Sequence, residues 1–445
     1  MEVAPQFLTT QNLPSQALKI FLWVLVFLAA AEFTVRGPWR YLHERGTWND
    51  FSQNYTASKL WLQGKSPADP RNFQALWWRE GLSRLDVTDI RTHLAPPPGG
   101  LVILAPVAAL PWRLAKALWI VILLISFVAT VWSLAATSGF QLTDTRTLVF
   151  VAACLALAPF HTGLASGNPT ILVIGLCAVA IWAVSARHEI ASGILFGVAC
   201  TMKPHLAAFL VLYYLARRRW RLFTFAVSCT VALNLIALLF LYVHGTPWLQ
   251  DYLNNARGFV TANNIDSFAS DNPARFALIN LQVPFFSITG NSGSSNLWAF
   301  ALGGILICGW LYWVLKQGAR RLPLLALGTI SAIALLPVYH RFYDAALLVV
   351  PLGWTIANMD GEAKRTARIV LLLMTPFLLP GAAFLQQLAV QGRISSVLTN
   401  SWPWNCIIMP HETWALLALS TVLLYRFGAS LGQYRPHAEN ATESK

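Results

Sequence analysis

Long apolar runs separated by short cationic stretches dominate the chain. The first covers 18–35, and others follow at 114–136, 147–160, 170–184, 222–243, 297–315, 322–338, 345–357, 369–388 and 413–427. Most approach or exceed the ~20 residues with which a helix crosses a hydrocarbon core. Lipid offers no water to an open strand edge, so such runs fold as helices. The pattern predicts an all-α integral membrane protein, one polytopic domain over 1–445 with about 10–12 transmembrane helices.

Two segments depart from that pattern. The run 101–110 is too short to span and follows Pro96, Pro97 and Pro98, which stop any helix, so it is expected to be an outer-side or re-entrant helix. Around 190–216 the basic flanks, Arg187 and Arg217 to Arg221, belong on one side, yet a single span's length separates them. A pair of half-helices entering from the cytoplasm and broken at Lys203-Pro204 resolves the conflict, because Pro204 removes a backbone donor.

Orientation follows from the cationic links, including "KQGARR" and "DGEAKRTAR", which belong in the cytoplasm. The helix at 18–35 then runs outward. The polar stretches 36–113 and 244–296 become two outer loops, the broken pair falls within the helices of 114–243, and the C-terminal helices occupy 297–430. In the first loop an amphipathic segment at 73–85 suits the membrane interface. The polar tail, 431–445, is cytoplasmic.

Composition strengthens the membrane reading: 56% hydrophobic and 11% charged residues leave too little polar surface for a soluble globule. The formal charge of +13 lies in clusters between apolar runs, so topology explains most of it and nucleic acid is not an expected partner. Attraction to anionic lipid adds a second contribution. Cys154, Cys177, Cys200, Cys229 and Cys308 lie inside apolar runs without CxxC spacing and read as small core hydrophobes. No Asp/Glu/His cluster at ligand spacing points to a metal, and no cofactor is expected.

Candidate chemistry gathers on the outer side. In "GTWNDFSQNY", Asp50 is either a loop acid or a general base, and composition leaves these readings even. The neighbouring Trp48, Phe51 and Tyr55 reduce its solvation, which suits base work, and offer stacking surface to a sugar. Lys203 at membrane depth is costly unless it faces protein, water or a ligand; a lipid phosphate would explain it, with snorkelling as the alternative. His205 stands beside it as a bystander or second contact. In "YHRFYD", His340 and Arg341 are placed for phosphate or hydroxyl contacts or as interface anchors, and Asp344 pairs with Arg341 or caps the next helix. Arg275 is a weaker candidate of the same kind.

These landmarks together resemble the polyprenyl-phosphate-dependent glycosyltransferases of the GT-C class, most closely glycosyltransferase family 87, the family of mycobacterial-type polyprenyl-phosphate-mannose-dependent α-mannosyltransferases. The matching pieces are "DFSQNYTASKLWLQGKSP", "APPPGGLVILAPVAALPWRLAKALW", "ASGNPTILVIGL", "SGILFGVACTMKPHLAAFLVLYYLARRRWR", "NPARFALINLQ" and "LLPVYHRFYDAALLVVP". The resemblance implies that Asp50, opening the "DF" pair, is the catalytic base, that Lys203 is the lysine of a "KP" element, and that His340 is a functional histidine. Ser166-Gly167-Asn168 stands where a "QxN" element is common, which adds Asn168 to the substrate-binding candidates, and "APPP" replaces "YPP".

The implied fold is a GT-C-like bundle whose outer loops carry interfacial helices. The implied reaction is inverting transfer of a hexose, mannose foremost, from a polyprenyl-phosphate donor to a hydroxyl of a lipid or glycan acceptor. It would take place at the outer, periplasmic face of a bacterial cytoplasmic membrane. Two rivals remain at this level. A secondary transporter also breaks helices around mid-membrane charges, but it predicts an internal repeat and small loops. A lipid-linked polysaccharide polymerase or ligase would leave Asp50 without a central role.

Overall fold

The computed structural model describes residues 16–43, 50–82, 97–141, 143–258, 266–272, 274–317 and 323–432. Trp48, the end of the amphipathic segment beyond residue 82 and the tail from Tyr434 lie outside them. α1 (Gln16–Thr34) continues through a π-helical turn at Val35–Trp39, which contains Pro38, into α2 (Arg40–His43).

The polar stretch behind α2, expected as an outer loop with interfacial helices, contains two helices. α3 (Asp50–Leu62) begins at Asp50, and α4 (Pro70–Glu80) forms most of the expected interfacial segment. α4 has strong boundary signals. Asp69 accepts from the Arg71 N–H, Pro70 occupies the first turn, and Gly81 closes the helix in the left-handed conformation. The two helices share a small core of Leu60, Trp61, Phe73, Leu76 and Trp77.

α5 (Gly99–Ala108) starts just after the prolines and is followed by α6 (Trp112–Thr137). α7 (Thr145–Ala156) and α8 (Ala158–Ser166) form a unit bent by 48°, with Pro159 in the first turn of α8. Next come α9 (Thr170–Ser185), α10 (Glu189–Met202), α11 (Pro204–Ala216) and α12 (Trp220–Val243). The second polar stretch holds α13 (Trp248–Gly258), a 3-10 turn at Arg275–Ala277 and α14 (Gln282–Thr289). α15 (Ser292–Lys316) and α16 (Pro323–Ala334) follow, then a 3-10 run (Phe342–Leu348) that leads into α17 (Val349–Ala357). The chain ends in α18 (Lys364–Met374), α19 (Gly381–Val390), α20 (Ser396–Thr399) and α21 (His411–Gly432).

Among the described residues, six helical stretches are long and apolar enough to cross a membrane, and the bent α7–α8 unit makes a seventh. That is fewer than expected, because treating each apolar run as a span overlooks helices that turn back on themselves. α10 and α11 have 14 and 13 residues and meet at Lys203. At ~1.5 Å per residue each reaches ~20 Å, about two-thirds of a hydrocarbon core. α8 meets α9 at a second corner, 167–169, and α16 meets the helical run 342–357 at a third.

Close packing holds the α10–α11 pair in place. Gly193 and Gly197, four residues apart, lie on the backbone of α12: a Cβ would sit 2.6 Å from the Leu222 oxygen and 2.7 Å from that of Ala226, respectively. Small residues at this spacing let helix backbones touch. The third corner is pinned differently. Ile279 N–H donates to the His340 carbonyl at 3.0 Å and Leu281 N–H to that of Leu336 at 2.9 Å, beside an isolated antiparallel bridge between Leu278 and Arg341.

Candidate active site

The three corners converge on one polar cluster. At the second, α8 ends with Gly167 at φ +64°, and the Asn168 N–H returns to the Gly163 carbonyl at 2.9 Å. This is a helix stop that favours glycine. Glycine is needed for space as well, since a Cβ there would lie 2.6 Å from the Tyr41 ring and 3.0 Å from Phe51. Phe51 is in turn stacked on Trp119 with ring centroids 4.8 Å apart, and the Trp119 indole N–H donates to the Gly167 carbonyl at 2.8 Å. The Asn168 corner is thereby locked against the first turn of α3.

That lock brings Asn168 to Asp50. Asn168 Nδ2 donates to Asp50 Oδ2 at 2.6 Å, while its Oδ1 accepts from the Thr170 backbone N–H at 2.9 Å. The second contact orients the amide, so its NH2 end faces the carboxylate. Asp50 is half-buried, and the phenol of Tyr343 from the third corner is its electrostatic neighbour.

Lys203 occupies the break between α10 and α11 with non-helical backbone, φ −143° and ψ 81°. Its ammonium donates to Asp344 Oδ1 at 2.8 Å and to Thr170 Oγ1 at 2.7 Å, and lies 4.8 Å from the centre of the Tyr343 ring. Asp344 is almost fully buried and Lys203 largely so, at 1% and 13% side-chain exposure. The expected pairing of Asp344 with Arg341 is corrected in part. Asp344 accepts from the Arg341 backbone N–H at 3.2 Å, as a cap, but its charge partner is Lys203. A carboxylate inside a bundle needs the nearest desolvated cation, and only Lys203 projects from the facing corner.

His340 does not face outward as its place in the corner implied. It is fully buried beneath Asp344: Nε2 lies 3.1 Å from the Ala334 carbonyl and Nδ1 3.4 Å from Asp344 Oδ2. Its position supports that carboxylate and leaves it no open face for a phosphate. His205 packs edge-on against it at 4.9 Å, with a buried Nε2 that has no hydrogen-bond partner.

His205, His340 and Asp344 together place three potential metal-ligand atoms within 4.8 Å of one another. No spacing in the sequence signals this grouping. The Lys203 ammonium already supplies Asp344 with a cation at 2.8 Å, so a divalent ion would sit against a like charge. The donor set therefore fits the Lys203–Asp344 pair better than a metal.

Arg341 extends to a separate cluster. Its guanidinium meets Asp266 Oδ1 at 2.5 Å through Nη2 and the Tyr339 hydroxyl at 2.7 Å through Nε. Tyr339 donates to the same Asp266 oxygen at 2.6 Å. Burial holds the Tyr339 phenol well above its ordinary pKa, Arg341 opposing and Asp266 reinforcing the shift, which keeps the donated proton in place. Arg275 donates to Asn405 Oδ1 at 3.3 Å and lies over the rings of Phe276 and Phe286. No contact joins Arg275 to the cluster at Asp50 and Lys203.

Tyr55 is a correction. Its ring is fully buried, edge-on to Trp112, and therefore offers no stacking face to a sugar. Its hydroxyl accepts from Lys59 at 2.5 Å and lies 2.9 Å from the Leu110 carbonyl and 3.1 Å from Glu80. It ties α3 to α4 and to the end of α5. Tyr55→Phe is expected to lower stability by about 1 kcal/mol, the worth of a typical hydrogen bond, and to leave turnover unchanged. Thermal unfolding and initial rates on the same preparation check both.

Sequence reasoning missed Thr170 and Asp266. A threonine opening an apolar helix looks like an ordinary first-turn residue, and nothing local marks Asp266 as the partner of a corner 75 residues away.

The family model of glycosyltransferase family 87 matches residues 96–351, more than half of the 445-residue chain. The match includes all three corners and begins after Asp50 and Tyr55. No curated protein and no solved structure matches the chain. With its membrane-length helices and this match, the chain belongs to glycosyltransferase family 87 and is a membrane glycosyltransferase.

Proposed function

We propose that the chain transfers a hexose, mannose foremost, from a polyprenyl-phosphate donor to a hydroxyl of a lipid or glycan acceptor at the outer face of a bacterial cytoplasmic membrane. The observation that carries this reading is one hydrogen-bonded chain. It runs from the half-buried Asp50 carboxylate through Asn168 and Thr170 to the Lys203–Asp344 pair. A base and a cation held by one polar framework are the two groups that a single displacement at an anomeric carbon requires.

Asp50 takes the proton of the acceptor hydroxyl as that oxygen bonds to the anomeric carbon. The bond from this carbon to the phosphate oxygen breaks, and polyprenyl phosphate leaves with the electron pair. Attack from the face opposite the phosphate inverts the centre and converts a β-linked donor to an α-product. Lys203 donates two of its three N–H groups to protein oxygens, and the third is free to meet a phosphate oxygen. Arg341 shares its charge with Asp266 and contributes at longer range.

The isoprenoid tail has a matching surface. A crevice of about 340 Å³ between α10, α11 and α12 is lined by Pro204, Ala208, Val211, Leu212, Phe223 and Val227, among others, and is almost wholly apolar. Pro204 joins it directly to Lys203, so a tail lying there leaves its phosphate beside the ammonium.

Purified protein in liposomes, supplied with native lipid extract, is expected to consume polyprenyl-phosphate sugars and to ignore nucleotide sugars. The reverse preference overturns the donor assignment. Turnover is expected to continue in chelator; complete loss restored by a divalent ion overturns the role given to Lys203.

A further inference from the structure

The Thr170 hydroxyl sits where the two halves of the site meet. Its Oγ1 is 2.7 Å from Asn168 Oδ1, 2.6 Å from Asp344 Oδ1 and 2.7 Å from Lys203 Nζ, and the residue is fully buried. Lys203 can only donate, so the hydroxyl accepts there. Its single proton then has two acceptors in reach, one in the group that holds Asp50 and one in the group that holds Lys203. Among the described residues, no other side chain contacts Asn168, Lys203 and Asp344 together.

We propose that Thr170 is a positioning residue that couples the donor-phosphate end of the site to the general base. The inference rests on Asp50 being that base. With Lys203 fully engaged by Asp344, the hydroxyl proton goes to Asn168 Oδ1 and adds to the backbone N–H that already orients this amide. When a phosphate draws on Lys203, Asp344 loses part of its cation and takes the hydroxyl proton instead. Asn168 is then held by the backbone N–H alone, and its grip on Asp50 responds to the filling of the donor site. Thr170 touches no reacting atom in this scheme and acts through Asn168 and Lys203.

Thr170→Val keeps the branched shape and removes the hydroxyl, while Thr170→Ser keeps the hydroxyl and removes the methyl. The valine variant is expected to lower kcat about tenfold, the effect of losing one hydrogen bond among charged groups, with the donor KM little changed. The serine variant is expected to restore most of kcat. A packing role predicts the opposite order, with serine the more damaged. Wild-type kcat in the valine variant, or equal loss in both, overturns the coupling. Rates are normalised to protein that elutes as a single species in detergent, so a poorly folding variant does not imitate a kinetic defect. Asp50→Asn assayed beside them separates the two failures. If it is inactive while Thr170→Val is fully active, only the coupling falls; if it is active, the base assignment falls as well.

Discussion

Asp50→Asn is expected to abolish sugar transfer while the protein remains folded. The change replaces one oxygen by an amide of the same shape, so α3 keeps its first turn and the Asn168 contact keeps an acceptor in reach. What is lost is the ability to take a proton. General-base catalysis contributes roughly 10²–10⁴-fold, so the rate should fall to the level of a boiled control in an assay with that range. The measurement is initial velocity from a polyprenyl-phosphate sugar in proteoliposomes, with thermal unfolding on the same sample. A rate within a few-fold of wild type, in protein with an unchanged unfolding midpoint, excludes Asp50 as the base.

The second large effect concerns Lys203, and it has two parts that can be separated. Lys203→Ala leaves Asp344, which is 1% exposed, without its cation. Removing one partner of a buried ion pair typically costs about 3–5 kcal/mol, so this variant should unfold at a markedly lower temperature and lose donor use together. Combining Lys203→Met with Asp344→Asn removes both charges and keeps comparable volume. Stability should largely return in the double variant, because no isolated charge is buried, whereas donor use should not. Recovery of turnover along with stability would assign the pair a structural role only.

The same ion pair illustrates where sequence reasoning stops. Lys203 stood out because a lysine inside a long apolar run is costly, and the Lys203-Pro204 break could be placed from the conflict between its basic flanks. Its partner could not be named. Asp344 lies 141 residues away, and Arg341 was the nearer cation in the chain. Asp50 shows the same limit: its candidacy came from its neighbours and from family resemblance, yet the residue that holds it, Asn168, is 118 positions distant. Tyr55 was placed on its aromatic surroundings and His340 on its polar corner and family resemblance, and burial leaves neither an open face toward a substrate.

By itself the sequence determined the all-α membrane class, most helix positions and the broken pair at Lys203, because apolar run length, proline and cationic loops act locally along a chain; the family showed through the resemblance of its motifs. The tertiary structure alone decided that three helix corners meet, that Thr170 joins them and that each buried charge has a particular partner. In a medium without water, a polar side chain must find its counterpart wherever helix packing brings one within reach. That distance is set by close contacts such as those of Gly193 and Gly197 with the α12 backbone and of Gly167 with Tyr41 and Phe51, which no hydropathy pattern reports.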